Sequence, residues 1–536
     1  MNHRVKLFHN KDAYRDLSIG SEMFQYIDRT VTAAGRKKLK HRLRYCSADQ
    51  TYLENLALKN YTIHKDLVYR YDMGEHLQKI KLLEGEMDNW MIKDCDTSLI
   101  YSWGLANNRY LLSLSNKLKF SYMLMVLVIY VLVYLYLYYH GFRISPKEYV
   151  EGIVIGYYEF LKMMCTLVLT NRVWIERTTM VLATLYIGYQ LYMMYQTVNT
   201  SYEHYNKCSS FYDSYQKIRE YVEIVERMCD IEVYQDVDKV RESIEYLKYY
   251  FSESSSLGFS LVTKLRSENY VKHIDVLINF VGRVDCGLCV ANLIDDGYTV
   301  PKFVKSSFPI LHAEGIWSPM IPYGRRVKNS LTMNVTTPNV QIITGPNKAG
   351  KSTFMRSLVT AVYLAQSLGV SSADKLGLTP FRDIFTYLNV PDCIGRESLF
   401  EAELNRCYSY IEKTESLRGF SIGIVDELFT GTNPREGKAA SYAILKRVVE
   451  NPTNITILST HFHEIIDVLE SDKFKFSKFT ATKKGDNFSY TYKMEDGVSD
   501  QCIALQLLKE RGFDKSLVDD AINYIAYDVN KSLKDP

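Results

Sequence analysis

Nine consecutive residues, 345–353, have the composition and spacing of a phosphate-binding loop. The first eight of them satisfy the pattern G-x-x-x-x-G-K-[ST]. Glycines allow such a loop to turn sharply and bring its backbone N–H groups close to phosphate oxygens. We therefore predict that this segment binds the phosphates of a nucleotide. The predicted nucleotide-binding residues are Gly345, Pro346, Asn347, Lys348, Ala349, Gly350, Lys351, Ser352 and Thr353.

Two side chains of this loop have predicted chemical roles. The ammonium group of Lys351 would reach the β- and γ-phosphates, and the hydroxyl group of Ser352 would ligate Mg²⁺. A β-branched run, 340–344, precedes the loop, and a helical pattern follows it. The N-terminus of that helix would point its positive end at the same phosphate oxygens. The predicted ligands are therefore a nucleoside triphosphate and Mg²⁺, and the family resemblance described below implies that the nucleotide is ATP.

Two acidic residues follow the apolar run 420–425. Burying carboxylates at the end of an apolar strand is costly unless they are paired or have a function. We predict that Asp426 helps to hold the magnesium ion, and that Glu427 polarises the water that attacks the γ-phosphate. Together with Lys351, Glu427 is a predicted catalytic residue.

A third β-branched run, 454–459, ends just before His461. This position at the end of a sheet strand suggests that His461 senses the γ-phosphate through a hydrogen bond, whereas we interpret His463 as structural. The three β-branched runs alternate with helical patterns. That alternation predicts an α/β domain with a largely parallel sheet over residues 301–495.

The composition is that of a folded chain. Of its 536 residues, 47% are hydrophobic and 24% are charged, which excludes a wholly disordered or collagen-like protein. Sixty-five basic and 62 acidic residues give a net charge of +3, so the overall charge does not indicate a nucleic-acid partner. Ten scattered cysteines and a charged N-terminus without an apolar signal segment predict a reducing, cytosol-facing location.

The middle of the chain contains long apolar runs. Residues 121–139 carry no charge and would cover roughly 28 Å as a helix, close to the thickness of a bilayer core. We predict transmembrane helices at 121–139 and 178–198, with 152–170 as an open third candidate. The alternative is that these runs are long buried helices of a soluble domain. The predicted localisation is a membrane, with the domain of residues 301–495 facing the cytosol.

Helical spacing dominates the rest of the chain. Residues 1–115 and 203–300 are predicted to form the two parts of an all-α core and lever domain. The hydrophobic insertion, 116–202, interrupts this domain. A C-terminal helical segment, 496–536, completes the predicted organisation.

Several of these motifs resemble the MutS family of ATP-dependent DNA mismatch repair proteins. TGPNKAGKST resembles the family's TGPNxxGKST, and DELFTGTNPREG and STHFHE are similar to its next two motifs. Upstream, DRTVTAAGRKKLKHRLR is similar to the start of the MutS core domain. The resemblance implies a MutS/ABC-like P-loop NTPase domain that hydrolyses ATP.

The resemblance also implies an assembly. The segment that begins at Ser398, SLFEAE, is similar to a family segment that reaches the nucleotide of the partner subunit, and it differs from that segment at its second and fourth positions. Residues 496–536 resemble the family's dimerisation segment, so a homodimer is expected. In the ATPase region, Trp317 and Tyr323 are candidates for stacking on adenine.

The expected function is that of a dimeric, membrane-anchored, MutS-like ATPase that couples its ATP cycle to DNA or to a membrane-associated conformational change. No Phe-x-Glu wedge occurs at a suitable N-terminal position, so we expect the mismatch-reading domain to be missing. Two alternatives remain open. One is a soluble repair factor that binds mismatched or branched DNA, and the other is a membrane transport ATPase.

Overall fold

A computed structural model describes most of the N-terminal and C-terminal parts of the chain. The described residues are 7–84, 145–152, 216–252, 268–388, 399–484, 487–499, 501 and 513–532, with isolated positions and pairs elsewhere between 131 and 199. The chain divides into two compact units. The first comprises Met1–Lys81, Ile231–Asp236 and Ile278–Pro536, and the second comprises Leu82–Asp230 and Val237–Leu277.

The N-terminal part of the first unit is helical with one small sheet. Thr32 and Asp49 cap two of the helices through side-chain oxygens. The strands Leu7–Phe8 and Cys46–Ser47 pair antiparallel, which corrects the expectation of an all-α core. The helices are Lys11–Asp16, Phe24–Ile27, Ala33–Arg44, Gln50–Lys65 and Leu67–Glu84.

Helices also make up the described part of the second unit. Residues 216–230 and Asp238–Ser252 are helical. A 28-residue helix, Glu268–Asp295, begins in the second unit and continues into the first. In the second unit, the ring of His273 stacks on Tyr246 at a centroid distance of 4.1 Å.

A six-stranded sheet forms the core of the C-terminal region. Only the strands of this sheet are numbered, in chain order. They are β1 Val340–Thr344, β2 Phe381–Tyr387, β3 Phe420–Asp426, β4 Asn454–Ser459, β5 Phe474–Lys484 and β6 Asn487–Asp496. The strand order is β6-β5-β1-β4-β3-β2, with only β6 antiparallel to its neighbour. Every residue of β1 and β4 is buried, as expected for central strands covered on both faces.

A second, four-stranded sheet lies in the same region, and helices connect and cover the sheets. This sheet contains Lys302–Phe303, Lys375–Leu378, Leu311–Ile316 and Asn329–Met333, in that spatial order. The α-helices are Lys351–Leu368, Leu399–Ser416, Pro434–Val449, His463–Val468 and Lys515–Ser532, and Tyr323–Arg325 is a 3₁₀ turn.

The helix Lys351–Leu368 is the most enclosed of these. Almost all of its side chains are buried. The hydroxyl of Tyr363 donates a hydrogen bond to the carbonyl oxygen of Leu43 (2.9 Å), and the amide of Gln366 donates to the carbonyl oxygen of Ser47 (2.7 Å). The N-terminal helical region therefore fixes the helix whose first turn follows the predicted phosphate loop.

The membrane predictions are corrected by the structure. Within the described parts of the chain, no helix combines the length and the apolar character that crossing a membrane requires. The helix Glu268–Asp295, for example, is long enough but carries charges at Lys272, Asp275 and Arg283. The expectations of inserted transmembrane helices and of a membrane localisation are therefore wrong. The predicted spans 121–139, 152–170 and 178–198 themselves lie mostly outside the described residues.

Candidate functional site

The predicted phosphate loop connects the end of β1 to the helix Lys351–Leu368. Gly345 has φ +138° and Gly350 has φ +106°, conformations that glycine adopts without strain. A Cβ atom on Gly345 would collide with the carbonyl oxygen of Phe479. The first helical turn closes with a 2.9 Å hydrogen bond from the Phe354 amide to the Gly350 carbonyl oxygen. Both glycines are therefore needed for this backbone path.

Lys351 points its ammonium group back into the loop. The side chain is buried, and Nζ donates to the carbonyl oxygens of Gly345 (2.7 Å) and Pro346 (3.4 Å). Burial lowers the pKa of Lys351, and the nearby carboxylates of Glu427 and Asp426 oppose that shift. Among the described residues, the hydrogen bonds of this ammonium group go to carbonyl oxygens, so it is well placed to receive an anion such as phosphate.

Asp426 ends β3 at the same edge of the sheet. Its Oδ1 accepts a 2.5 Å hydrogen bond from the hydroxyl of Ser459, the residue paired with it on β4. The next residue on that side, Thr460, donates its backbone N–H to the Ile343 carbonyl oxygen of β1 (3.2 Å). The carboxyl ends of the parallel strands β1, β4 and β3 therefore converge, which is where open α/β sheets bind ligands.

Glu427 and His461 form a direct pair. The distance from His461 Nε2 to Glu427 Oε1 is 2.5 Å, and both side chains are about one third exposed. The hydrogen bond from His461 lowers the pKa of Glu427, burial partly opposes this, and the charges of His461 and Lys351 add to the lowering. Glu427 is therefore a carboxylate at neutral pH, held in a fixed direction by an imidazole.

The backbone of Glu427 is unusual. Its φ is +55°, in the left-handed region, where a residue with a Cβ atom loses about 1–2 kcal/mol. Its amide donates to the Ser459 carbonyl oxygen at 3.2 Å. Such strain persists only where the surroundings fix the residue, and it often accompanies functional sites.

The structure brings most of the predicted site residues together and leaves one undescribed. The loop 345–353, Asp426, Glu427 and His461 lie at one edge of the sheet. Ser352 is partly exposed and Thr353 is exposed in the first helical turn. Ser398, the predicted contact to a partner's nucleotide, lies outside the described residues.

The two aromatic candidates for stacking on adenine differ in accessibility. Trp317 is buried, and the guanidinium carbon of Arg326 lies 3.8 Å from its ring centroid, so no base can reach that face. Tyr323 is exposed.

Sequence reasoning missed an aromatic residue beside the loop. Tyr492 lies on β6, and its Cδ1 atom is 3.2 Å from the position that a Cβ on Gly350 would occupy. Its φ is +55° and its side chain is 44% exposed. The tyrosine pair of β6, Tyr490 and Tyr492, is the only sequence signal, and nothing local in it indicates proximity to Gly350.

Oxygen donors at this edge suit magnesium. The hydroxyl of Ser352 and the carboxylate of Asp426 are hard ligands of the kind that Mg²⁺ prefers. The described residues contain no group of three or more His, Cys, Asp or Glu side chains that could hold a metal by themselves. Magnesium typically takes one or two protein ligands and completes its shell with water and substrate phosphates, so this donor set fits it.

Comparisons with known proteins point to one family. Residues 341–527 match the family model of MutS domain V. The DNA mismatch repair protein MutS of Lactococcus lactis subsp. cremoris (strain MG1363) is 29% identical over 278 residues, 50% of this chain and 32% of that protein. MutS of Streptococcus agalactiae serotype Ia is 28% identical over 282 residues, 51% of this chain and 32% of that protein.

A third MutS relative is similar over the same share of the chain. MutS of Streptococcus pyogenes serotype M1 is 28% identical over 273 residues, 50% of this chain and 32% of that protein. The chain thus spans about a third of the length of the curated relatives that it matches. Similarity to MutS domain V and to MutS relatives thus covers half of this chain.

Proposed function

We propose that this protein is a MutS-like ATPase whose catalytic centre is the edge of the six-stranded sheet where β1, β3 and β4 end. The observation that carries the proposal is the convergence of a glycine loop, a buried lysine and an acid–histidine pair at that edge. The match of residues 341–527 to MutS domain V supports the same assignment.

Binding of ATP begins at the loop. The amides of residues 345–353 and the ammonium group of Lys351 hold the phosphates, and the helix N-terminus adds its positive end. Ser352 and Asp426 hold Mg²⁺, which, when bound, neutralises part of the phosphate charge. The exposed face of Tyr492 offers a surface for the nucleoside base beside the loop.

Hydrolysis is an in-line displacement at the γ-phosphorus. Glu427 orients a water molecule whose oxygen forms a bond to the γ-phosphorus while the bond to the β,γ-bridging oxygen breaks. The products are ADP and inorganic phosphate, and the water's protons leave to the phosphate and to solvent. Lys351 and the loop amides stabilise the negative charge that develops on the oxygens. His461 holds the Glu427 carboxylate and contacts the γ-phosphate.

The proposed assembly is a homodimer that acts on DNA. The segment 496–536 mediates dimerisation, and Ser398 touches the partner's nucleotide, as the motif resemblance implies. The matched relatives are named DNA mismatch repair proteins, so DNA is the proposed partner. A factor that prefers mismatched or branched DNA is the specific alternative within this class.

ATP hydrolysis by the purified full chain tests the proposal. Lys351→Ala should abolish ATP binding, and Glu427→Gln should bind ATP normally while losing at least about 100-fold in kcat, the usual scale of losing a positioned base. Lys446→Ala, an exposed lysine of the helix Pro434–Val449, is the matched control and should leave both unchanged. Normal turnover by Glu427→Gln would refute the role of Glu427.

The same assay tests the DNA partner. Phosphate release is measured without DNA and with homoduplex, mismatched or branched DNA. Stimulation by any of them supports the DNA role, and a preference for the mismatched or branched form selects the alternative. An identical rate in all four conditions, together with no binding of any DNA at low salt, would contradict the DNA partner.

A further inference from the structure

A buried carboxylate behind the site contacts the loop that follows Glu427. Glu403 lies in the helix Leu399–Ser416 and is only 2% exposed. Its Oε1 accepts from the amide (3.3 Å) and hydroxyl (3.1 Å) of Thr430, and its Oε2 accepts from the Gly431 amide (3.2 Å). Both oxygens of Glu403 are therefore committed to the residues three and four positions after Glu427.

That loop needs support because its backbone is strained at two places. Glu427 has φ +55° and Phe429 has φ +57°. Each costs about 1–2 kcal/mol for a residue with a side chain. A loop with two such residues relaxes unless neighbouring contacts hold it, and relaxation would turn the Glu427 carboxylate away from its present direction.

The first turn of the helix Leu399–Ser416 supplies packing contacts to the same loop. The rings of Phe400 and Phe429 meet edge to face with centroids 6.0 Å apart. A Cβ atom on Gly431 would lie 3.0 Å from Leu399 Cγ, so the helix and the loop are in close contact there. Apolar packing alone would not fix the direction of the two amides, whereas a carboxylate accepting from both does.

The same buried face of the helix is anchored one turn further along. One turn after Glu403, Arg406 forms a buried ion pair with Asp16 of the helix Lys11–Asp16. Asp16 also accepts a 2.8 Å hydrogen bond from the hydroxyl of Thr386 on β2. The position of Glu403 is thus set by the fold, and Glu403 in turn sets the loop.

We propose that Glu403 is a positioning residue for ATP hydrolysis. It fixes Thr430 and Gly431 and thereby holds the Glu427 carboxylate against His461, where it can orient the attacking water. This inference rests on the proposed ATPase function. Glu403 acts through the loop and contacts neither the phosphate loop nor Lys351, so it affects the chemical step and not the binding of ATP.

Glu403→Gln in the full chain tests this role, because an amide NH₂ group then faces a backbone N–H donor. We expect kcat to fall 10- to 100-fold and the Kd for ATP to change less than twofold. Glu412→Gln, an exposed glutamate on the same helix, is the matched control and should change neither quantity.

Thr430→Val provides a second test in case the Glu403→Gln variant does not fold. Thr430 is exposed, so the substitution removes one hydrogen bond to Glu403 at no cost in packing. It should lower kcat a few-fold and leave the Kd for ATP unchanged. An unchanged kcat in folded Glu403→Gln, or in Thr430→Val if Glu403→Gln does not fold, would overturn the inference, and so would a Kd that rises as much as kcat falls. Absence of ATPase activity in the unmodified chain would instead overturn the proposed function.

Discussion

At the residue scale, the central feature is how a strained glutamate keeps its charge and direction. Glu427 sits in a left-handed conformation at the end of a buried strand, with its carboxylate 2.5 Å from His461 Nε2. The imidazole lowers the pKa of the carboxylate more than burial raises it. A base of this kind is ionised and ready at neutral pH, at the cost of being a weaker proton acceptor.

Replacing His461 tests this account through the pH dependence of ATP hydrolysis. In the proposed mechanism Glu427 acts in its deprotonated form, so activity should be lost as pH falls through its pKa. His461→Ala removes the hydrogen bond that lowers this pKa. The pKa then rises toward its ordinary value, and the acid limb of kcat moves to higher pH. Profiles of kcat over roughly pH 4 to 8 measure the shift.

The control for this experiment is two residues away. His463→Ala should leave the acid limb where it is, because His463 has no part in the pair with Glu427. An acid limb that stays in place in His461→Ala would show that His461 does not control the ionisation of Glu427. A loss of ATP binding in the same variant, with the acid limb unchanged, would show that His461 acts through its contact with the γ-phosphate and not through Glu427.

Sequence alone predicts the site residues that lie within one short, continuous motif. The loop 345–353 is one continuous motif, and Asp426 and Glu427 directly follow an apolar run. Glu403 ends the segment SLFEAE, but its contacts with Thr430 and Gly431 were not predicted, and Tyr492 was missed, because both depend on tertiary packing. A glutamate in a helix and a tyrosine in a strand carry no local mark of what they contact.

At the element scale, strands buried on both faces were predictable. The β-branched runs at 340–344, 420–425 and 454–459 form β1, β3 and β4, which pair in parallel. Short strands such as Cys46–Ser47 were not predicted, because two residues carry no periodicity and pair only where tertiary contacts bring them together. The transmembrane prediction was wrong. An apolar run indicates that its side chains avoid water, but it does not indicate whether lipid or protein surrounds them.

The buried ion pair between Asp16 and Arg406 joins two elements far apart in the chain. Both side chains are nearly inaccessible, so removing one partner leaves the other charge buried. We expect Arg406→Met to lower the free energy of unfolding by about 3–5 kcal/mol. Urea unfolding followed by tryptophan fluorescence measures the change.

Two further variants separate charge from packing at this contact. Arg15→Ala removes an exposed partner of Asp12 and Asp16 and should cost no more than about 1 kcal/mol. The double variant Asp16→Leu with Arg406→Met should recover part of the loss of Arg406→Met, because no charge then remains buried. Equal losses in the single and double variants would mean that packing, and not charge, dominates.

At the scale of the first unit, the helix Lys351–Leu368 is tied to the N-terminal helical region by hydrogen bonds along its whole length. Asn60 donates its amide to the Leu368 carbonyl oxygen at 2.7 Å, at the far end of the helix from the loop. Arg356 donates to the carbonyl oxygens of Asp16 and Leu388, each at 3.3 Å. In the proposed ATPase, a displacement of the loop on ATP binding would therefore reach the N-terminal helices directly, which would give the ATP cycle a route out of the catalytic centre.

We expect the proposed dimer to depend on bound ATP. ATP bound but not hydrolysed should hold two copies together, because each copy would complete the other's nucleotide site. With ATP and Mg²⁺, Glu427→Gln should therefore show twice the chain mass of 62.2 kDa in sedimentation. The unmodified chain should return to the mass that it has without nucleotide as ATP is consumed. Sedimentation velocity with and without nucleotide measures both.

Lys351→Ala provides the matched negative in this experiment, because it removes the cation that the phosphates need and should show the same mass with and without ATP. A mass that does not depend on ATP in Glu427→Gln, in a sample shown to bind ATP, would contradict the nucleotide-driven dimer. The ATPase assignment would survive that outcome, since the loop, the acid pair and His461 all lie within one chain.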